Sequence, residues 1–547
     1  MDSECNQLDI MFDKGDTLLK RAFCLLLTLF LLCGCTPSVP DPDTDNPSVP
    51  PSSYEIDRTQ RQLYLTIWSW QIPTVALAEE YARRAAELGF TGIDLCVRWE
   101  KIEPARGRFD WFWLDSVTDV FRQKGLSLSL SLLLWTGSLS WADQLAFQQT
   151  SLGDVFEYEG RGGSLCLCDQ SNLDIVKNTL QAFSIHCASS LGDSLQRWGV
   201  RLSCYGELEY STGADLDYSP QAICAFLDYV LKTYGSYEAF SLLYGRTETT
   251  RSELEALKAE NFSTLFTYDW KCFKQAVLTE FSALAAGIFH AAAPGVPVAA
   301  QIGSWADPPS ALYGGILDPV SFLKESGADI LHVADADSLP VEFLIDLAVS
   351  LAGTGGRVAY EIDGAWKLEN GSADFATRAK AVGEAGLFSL NTANWSLEEL
   401  DTYGPELLSQ YQSLFFCEPA PVKNVSSTVL LVNTADFSLR SVPVSLFNLL
   451  SQPYTGLKDA GVQVRFVTDR QLLAHPELLE EIETLCLGNL SECPVLDSAL
   501  VELLLSSGVT LTADRAGYDE VFFNPYGIPF PEEIQQSLRK AIVCYLD

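Results

Sequence analysis

Short apolar runs alternate with stretches of helical periodicity from about residue 61 onwards. The first run, "QLYLTIWSW", has the apolar and aromatic content of a buried strand. The segment after it, "PTVALAEEYARRAAELG", carries apolar residues at helical spacing and stops at Gly89. Repetition of this pair predicts a parallel sheet with crossover helices. The eighth strand candidate is "GLFSLNTANW", so the pattern predicts an α/β fold, a (β/α)8 TIM barrel.

Two of the predicted strands end in carboxylates. The fourth, "QRWGVRLSCYGELEYS", runs into Glu207 and Glu209, and the seventh, "RVAYEIDGAW", contains Glu361. In a barrel of this kind the active site lies at the C-terminal ends of the strands, so we expect these side chains to face one cleft. Acids after both the fourth and the seventh strand are a more specific signal than either acid alone, so Glu207 and Glu361 are candidate catalytic residues.

Aromatic residues recur at the same ends of the predicted strands. Indole rings pack against the C–H faces of sugars, so the set as a whole predicts a carbohydrate-binding cleft. For any single ring, a place in the core is an equally good interpretation. The candidate substrate-binding residues are Trp68, Arg98, Trp99, Trp135, Tyr205, Glu209, Trp305, Asp363, Trp366, Asn394 and Trp395, of which Arg98, Asp363 and Asn394 are candidates to hold sugar hydroxyl groups.

Composition restricts the partners. The chain carries 36 basic and 72 acidic residues, a formal net charge of −36, and a surface of this sign repels nucleic acid and argues for neutral substrates. The 4 histidines show no ligand spacing, so no metal site is predicted. No Gly-x-Gly-x-x-Gly loop occurs, and we predict that no cofactor is needed.

The N-terminus reads as a processing segment. After Lys20 and Arg21, the apolar run "AFCLLLTLFLLCGC" is typical of a signal peptide, and its end resembles the lipobox of bacterial lipoproteins. We therefore predict a signal peptide over 1–35, lipidation at Cys35 and a Pro- and Asp-rich tether over 36–58. The protein would then be lipid-anchored in the bacterial cell envelope, outside the cytoplasm. A plain signal peptide or a short transmembrane anchor is the alternative.

A second pattern begins after the barrel. The segments "TVLLVN", "VQVRFVT", "TLCLGNL" and "VTLTA" predict a small doubly wound α/β unit over 424–547, which follows a barrel domain over 59–420. Cys486 lies in an apolar run without the sharp glycine-flanked turn that a nucleophile needs, so we predict no chemistry there.

The segment "RWEKIEPARGRFDWFWLD" resembles the second-strand signature of clan A glycoside hydrolases, especially the family 42 and family 35 β-galactosidases. The segment "YDWKCFKQAVLTEFSALAAGIFHAAAPGVPVAAQIGSW" is similar to a helix and the fifth strand of family 42. The resemblance covers roughly residues 61–415. It implies a retaining, β-galactosidase-like hydrolase with Glu207 as acid/base and Glu361 as nucleophile. It also implies that the C-terminal unit is amidotransferase-like and is a candidate for mediating trimerisation.

The choice of the acid stays open between the two glutamates that follow the fourth strand. The family patterns place asparagine before the acid, whereas Gly206 precedes Glu207 and Leu208 precedes Glu209. The run "GELEY" resembles the Gly-Glu-Leu-Arg-Tyr of β-amylases, in which the first glutamate is catalytic, and this favours Glu207. Two alternatives remain: a catalytically inactive barrel that serves as a surface glycan-binding lipoprotein, and inverting hydrolysis of the β-amylase type.

Overall fold

A computed structural model of the chain provides the coordinates. The residues that it describes are 61–157, 162–204, 206–303, 305–306, 313–336, 339–353, 357–364, 372–405, 415–416, 425–439, 445–490, 494–514 and 521–544. The predicted leader with its Cys35 and the predicted tether lie outside the described residues, as do Tyr205 and Trp366. Those predictions therefore stay predictions.

Eight parallel strands close into a barrel in which each strand pairs with the next along the chain, and β1 pairs with β8. Tyr64 of β1 lies opposite Asn391 of β8 at this closure. The predicted (β/α)8 barrel is confirmed. The strands are β1 Gln62–Trp68, β2 Gly92–Arg98, β3 Ser127–Leu133, β4 Leu195–Arg201, β5 Val298–Ile302, β6 Ile330–Ala334, β7 Arg357–Asp363 and β8 Ser389–Ala393.

Helices follow the strands and cover the outside of the barrel. The helix predicted after β1 begins after Thr74, whose hydroxyl accepts a hydrogen bond from the Leu77 amide. It ends just before Gly89, which has a φ of 79°. The helices of this part of the chain are Val75–Glu87, Phe112–Gln123, Gln170–Leu191, Pro220–Tyr234, Tyr237–Leu243, Arg251–Glu255, Phe262–Leu265, Thr267–Ala292, Pro319–Glu325, Val341–Ala352, Ser372–Glu384 and Leu397–Thr402.

Glu103 and Pro104 follow β2, and the Glu103 carboxylate holds the loop after this strand through hydrogen bonds. Glu103 is 1% exposed, and its carboxylate accepts hydrogen bonds from Trp99 Nε1 and Thr179 Oγ1, both at 2.7 Å, and from the Gly107 amide at 2.6 Å. Gly107 has a φ of 72°, which glycine adopts without strain. The motif thus has a structural role, because one buried carboxylate joins the loop, a core indole and the helix Gln170–Leu191.

The C-terminal residues form a five-stranded parallel sheet of order β10-β9-β11-β12-β13. Its first four strands coincide with the four predicted segments, and the fifth was not predicted. The strands are β9 Val425–Val432, β10 Gln463–Thr468, β11 Thr484–Asn489, β12 Thr510–Asp514 and β13 Ile542–Cys544. The helices are Thr434–Leu439, Leu446–Asp459, Asp469–Ala474, Ser498–Ser507 and Glu532–Ala541.

The sheet and the barrel belong to one compact unit. The hydroxyl of Tyr454 and the ammonium group of Lys458 both donate to Asp346, which lies on a barrel helix, at 3.0 and 2.8 Å. Phe343 of the same helix packs edge-on against Phe466 of β10 with ring centroids 5.4 Å apart. The predicted boundary between 420 and 424 and the amidotransferase-like assignment stay predictions.

Candidate active site

A turn after β4, here called the acid-bearing turn (residues 202–204 and 206–207), carries Glu207. The amides of Leu202 and Ser203 both donate to the Glu207 carbonyl, at 2.8 and 2.9 Å, so the turn folds back on the strand that it leaves. Gly206 has a φ of 98°, and a Cβ added there would lie 2.2 Å from the Trp68 ring. Only glycine satisfies both conditions.

The Glu207 carboxyl group lies in an environment that raises its pKa. It is partly buried and accepts a hydrogen bond of 2.6 Å from Ser203 Oγ. Burial raises its pKa above the ordinary value, and the negative charge of Glu361 raises it further, although the Ser203 bond and the charge of Arg201 oppose the shift. A carboxyl group with a raised pKa holds its proton closer to neutral pH, as a proton donor must.

Glu361 lies on β7 and is fixed by donors from two other strands. Thr66 Oγ1 of β1 donates to it at 2.7 Å, and Gln301 Nε2 of β5 donates to the other oxygen at 3.0 Å. Burial raises the pKa of Glu361, while Arg201 and these two donors oppose the rise. The carboxylate is 8% exposed and fixed in orientation, with donors that favour its ionised form.

His332 faces the same carboxylate from β6. Its Nε2 lies 4.0 Å from Glu361 Oε2, and its side chain is 2% exposed. Burial lowers the pKa of His332 well below its ordinary value, and the nearby charge of Arg197 acts in the same direction. The imidazole is therefore neutral at neutral pH, and the contact is not an ion pair.

A buried charge network lies beneath the two carboxyl groups. Asp94 of β2 has no exposed surface and lies 3.0 Å from Arg201 Nη2 and 3.3 Å from Arg197 Nη2. It also accepts from Ser129 Oγ at 2.7 Å and from Asn391 Nδ2 at 3.0 Å. Burial pushes the pKa of Asp94 upward, but the two arginines outweigh it and hold the pKa below its ordinary value.

This network and the residues that contact the two carboxyl groups were not predicted from the sequence. A signal was present, because Arg197 and Arg201 are four residues apart in a strand and must therefore point to the same face. Two like charges on the buried face of a strand imply an anionic partner on another strand. The contact residues that were missed are Thr66, Asp94, Arg197, Arg201, Ser203, Gln301 and His332.

Glu209, the other candidate acid, lies in a different environment. It is 5% exposed, and its carboxylate accepts a hydrogen bond of 3.3 Å from the Gly303 amide just beyond β5. The Leu208 amide between the two glutamates donates to the Gln301 carbonyl at 2.6 Å, which fixes the segment against β5. The charge of Glu361 is one of the causes that raise the pKa of Glu207. The choice of Glu207 as the acid stays a prediction.

Three predicted substrate-binding residues meet at the ends of β1, β7 and β8. Trp68 Nε1 donates to Asn394 Oδ1 at 3.1 Å, and Asn394 Nδ2 donates to Asp363 Oδ2 at 2.8 Å. Asn394 is exposed and has a φ of 61°, a left-handed conformation that asparagine adopts more readily than most residues. The Trp68 ring is partly buried. The three side chains form one hydrogen-bonded row that a sugar in this cleft could contact.

Two of the predicted tryptophans lie in the core. Trp99 is 0% exposed and donates to Glu103, and Trp395 is 1% exposed and donates from Nε1 to Thr392 Oγ1 at 2.7 Å. A Cβ on Gly364 would lie 2.0 Å from the Trp395 ring, so the backbone itself covers this indole. Neither ring has surface left to stack on a sugar, which corrects the expectation for both and gives them packing roles.

Three more predicted residues are held by contacts with their neighbours. Trp135 is 6% exposed and packs with Cys96 and Trp68. Trp305 is 7% exposed, and its Nε1 donates to the Ile316 carbonyl at 2.9 Å. Arg98 is partly buried, and its guanidinium group lies 3.9 Å from the Glu100 carboxylate. The two indole rings therefore have little exposed surface, whereas part of the Arg98 side chain is exposed.

A sequence model of glycoside hydrolase family 42, described as Beta-galactosidase, matches residues 70–133. The closed barrel and this match define the class of protein as glycoside hydrolase. This match supports the predicted resemblance to family 42 within clan A. No curated protein matches the chain.

Solved structures share the fold at low identity. A β-galactosidase from Rahnella sp. R3 superposes with a TM-score of 0.67 at 14% identity, covering 89% of this chain and 74% of that one. A catalytic mutant of Gan42B, a GH42 β-galactosidase from G. stearothermophilus, gives 0.66 at 15% identity, covering 90% and 76%. The catalytic domain of a β-amylase from Paenibacillus polymyxa gives 0.51 at 16% identity, covering 66% and 99%.

Proposed function

We propose that the protein is a retaining glycoside hydrolase that acts on a neutral glycan, with Glu361 as nucleophile and Glu207 as acid/base. The observation that carries the proposal is the asymmetry between the two carboxyl groups. Burial raises the pKa of both groups, and the charge of Glu361 raises that of Glu207 further. Glu207 accepts a hydrogen bond from Ser203 in its own turn, whereas Glu361 accepts hydrogen bonds from Thr66 and Gln301 on two other strands. When two carboxyl groups lie in different environments, one can act as the proton donor and the other as the ionised nucleophile. We assign the first role to Glu207 and the second to Glu361.

The reaction proceeds in two displacements. In the first, the Glu361 carboxylate attacks the anomeric carbon while Glu207 gives its proton to the departing glycosidic oxygen, which leaves a covalent glycosyl ester on Glu361. In the second, the Glu207 carboxylate takes a proton from water, and the resulting hydroxide attacks the anomeric carbon and releases Glu361. Thr66 and Gln301 hold the nucleophile in place through both steps, so it pays no reorientation cost before attack.

The substrate class follows from the charge and from the relatives. A protein of net charge −36 repels anionic polymers and is suited to neutral sugars. The Rahnella and G. stearothermophilus structures are named as β-galactosidases, so a β-galactoside is the first substrate to test. We place the enzyme in the bacterial cell envelope on the strength of the lipobox-like leader, so the glycan would lie outside the cytoplasm.

Azide rescue tests the two roles. Glu361→Gln should abolish turnover of every substrate, because no other group forms the glycosyl ester. Glu207→Gln should still react with an activated aryl galactoside, whose leaving group needs little protonation. Azide needs no general base, so it should speed breakdown of the intermediate and yield a glycosyl azide of retained configuration.

The matched control is Glu209→Gln, which we expect to weaken binding without azide rescue. Rescue in the Glu209 variant but not in the Glu207 variant would make Glu209 the acid. Full turnover by Glu361→Gln would exclude the retaining mechanism. A wild-type protein that binds sugars and cleaves none of a panel of nitrophenyl glycosides would instead favour the surface glycan-binding lipoprotein.

A further inference from the structure

Arg201 occupies the position between the buried charge network and the two carboxyl groups. It is the last residue of β4 and is 1% exposed. Its Nη2 lies 3.0 Å from Asp94, and its Nη1 donates to the Gly206 carbonyl at 3.1 Å. The guanidinium carbon lies 5.2 Å from the centre of the Trp68 ring, within the range of a cation–π contact. One side chain thus contacts the network, the acid-bearing turn and the ring beside it.

The charges around Arg201 do not cancel locally. Asp94 is shared with Arg197, so a single carboxylate faces two guanidinium groups. His332 is neutral and contributes no compensating charge. The titratable side chains that interact with Arg201 include Asp94, Cys96, Glu207, Glu361 and His332. Burial raises the pKa of Cys96 to about 12, so that thiol is uncharged. The remaining positive charge is therefore available to the two active-site carboxyl groups.

We propose that Arg201 is a positioning residue, which anchors the acid-bearing turn through the Gly206 carbonyl and presents its charge to both carboxyl groups. This inference rests on the proposed function and adds a third residue to its machinery. The turn bends back at Gly206, directly before Glu207, so a bond to the Gly206 carbonyl fixes the backbone from which the acid projects. A charge facing Glu361 favours the ionised nucleophile.

The two effects can be separated by substitution. Arg201→Met removes both the charge and the hydrogen bonds. Arg201→Lys keeps a positive charge but loses the forked geometry that joins Asp94 to Gly206. The matched control is Arg197→Met, on the same strand and beside the same aspartate. The charge of Arg201 is among the largest causes that lower the pKa of Glu207 and of Glu361, and the charge of Arg197 is not.

The readout is the pH profile of kcat/KM with an activated aryl galactoside. The acidic limb reports ionisation of Glu361, and the basic limb reports loss of the proton from Glu207. Removal of a positive charge raises the pKa of a neighbouring carboxyl group. A nearby opposite charge shifts such a pKa by about 1–3 units, and we take the lower value, so Arg201→Met should move both limbs to higher pH by about 1 unit. Arg201→Lys should keep the limbs and lower kcat. Arg197→Met should keep the limbs.

A titration without turnover separates this inference from the proposed function. Protein labelled with ¹³C at the glutamate carboxyl carbon is titrated by NMR, and the Glu361→Gln spectrum assigns the Glu361 signal. An upward shift of that titration in Arg201→Met but not in Arg197→Met supports the inference even if no substrate is turned over. Equal shifts in both variants, or none in either, would overturn it. Absence of glycosidase activity from the wild type would count against the proposed function alone.

Discussion

Replacement of Asp94 by asparagine should destabilise the barrel strongly while preserving its shape. The wild-type carboxylate has no exposed surface, accepts hydrogen bonds from Arg201, Ser129 and Asn391, and forms an ion pair with Arg197 at 3.3 Å. Asparagine has nearly the same volume but no charge, so it removes the anion that the two buried guanidinium groups of Arg197 and Arg201 share. Loss of one partner from a buried ion pair costs about 3–5 kcal/mol. We expect a loss of this size in the free energy of unfolding of Asp94→Asn.

Urea unfolding at neutral pH, followed by tryptophan fluorescence, measures the difference. The control is Asp119→Asn, which removes an exposed pair with Arg122 at 3.1 Å, in which the aspartate side chain is 61% exposed. A surface substitution of this kind should change the stability by no more than about 0.5 kcal/mol. If Asp94→Asn were as mild as this control, the buried network would not stabilise the barrel, and the reasoning would be refuted.

The pH dependence of the same difference gives a second check. Because the arginines hold the pKa of Asp94 below its ordinary value in the folded protein, its contribution is fully present above the unfolded value of about 3.9. The contribution is lost as the pH falls through the lower, folded value. The stability gap between the wild type and Asp94→Asn should therefore be constant near neutral pH and should narrow only below about pH 4.

Three further predictions address the loop, the turn and the leader. Glu103→Gln should lower the free energy of unfolding by about 1–3 kcal/mol in urea titrations, because one buried amide cannot accept all three donors. Gly206→Ala should lower kcat about 100-fold, because the new methyl group displaces Trp68 and the turn; Gly125→Ala, with open space around it, should not lower kcat. Cys35→Ala should release the full-length protein from the detergent phase in phase partitioning, and retention there would indicate a transmembrane anchor.

The barrel was predictable because its strands are short buried runs that end in conspicuous residues. The apolar residues of each strand between Gln62 and Ala393 are consecutive or nearly so in the sequence. The position and length of each strand can therefore be predicted without knowing which strands pair with it. The helix predicted within "PTVALAEEYARRAAELG" is present at Val75–Glu87 for the same reason. The strand Ile542–Cys544 was missed because three residues carry no pattern.

The site was only partly predictable because its chemistry depends on contacts between distant strands. Asp94 and Arg201 are 107 positions apart, and each looks like an isolated polar residue in its own strand. The predictions for two tryptophans were wrong because the direction of each ring could not be inferred from the sequence. Trp99 and Trp395 lie where strands end, but the local sequence does not say that one indole turns inward to Glu103 and that the other is covered by Gly364. Strand position predicts the neighbourhood of a side chain and not the direction in which it points.

Trapping of the glycosyl-enzyme tests directly whether Glu361 is the nucleophile of a retaining mechanism. A 2-deoxy-2-fluoro galactoside with an activated leaving group slows both displacements, and the second becomes slow enough for the ester to accumulate. Peptide mass spectrometry of the inactivated protein then locates the label. The account predicts one equivalent of fluorosugar on Glu361, and no label in Glu361→Gln. A label on Glu207 or Glu209, or hydrolysis of the parent galactoside with inverted configuration and no label at all, would contradict it.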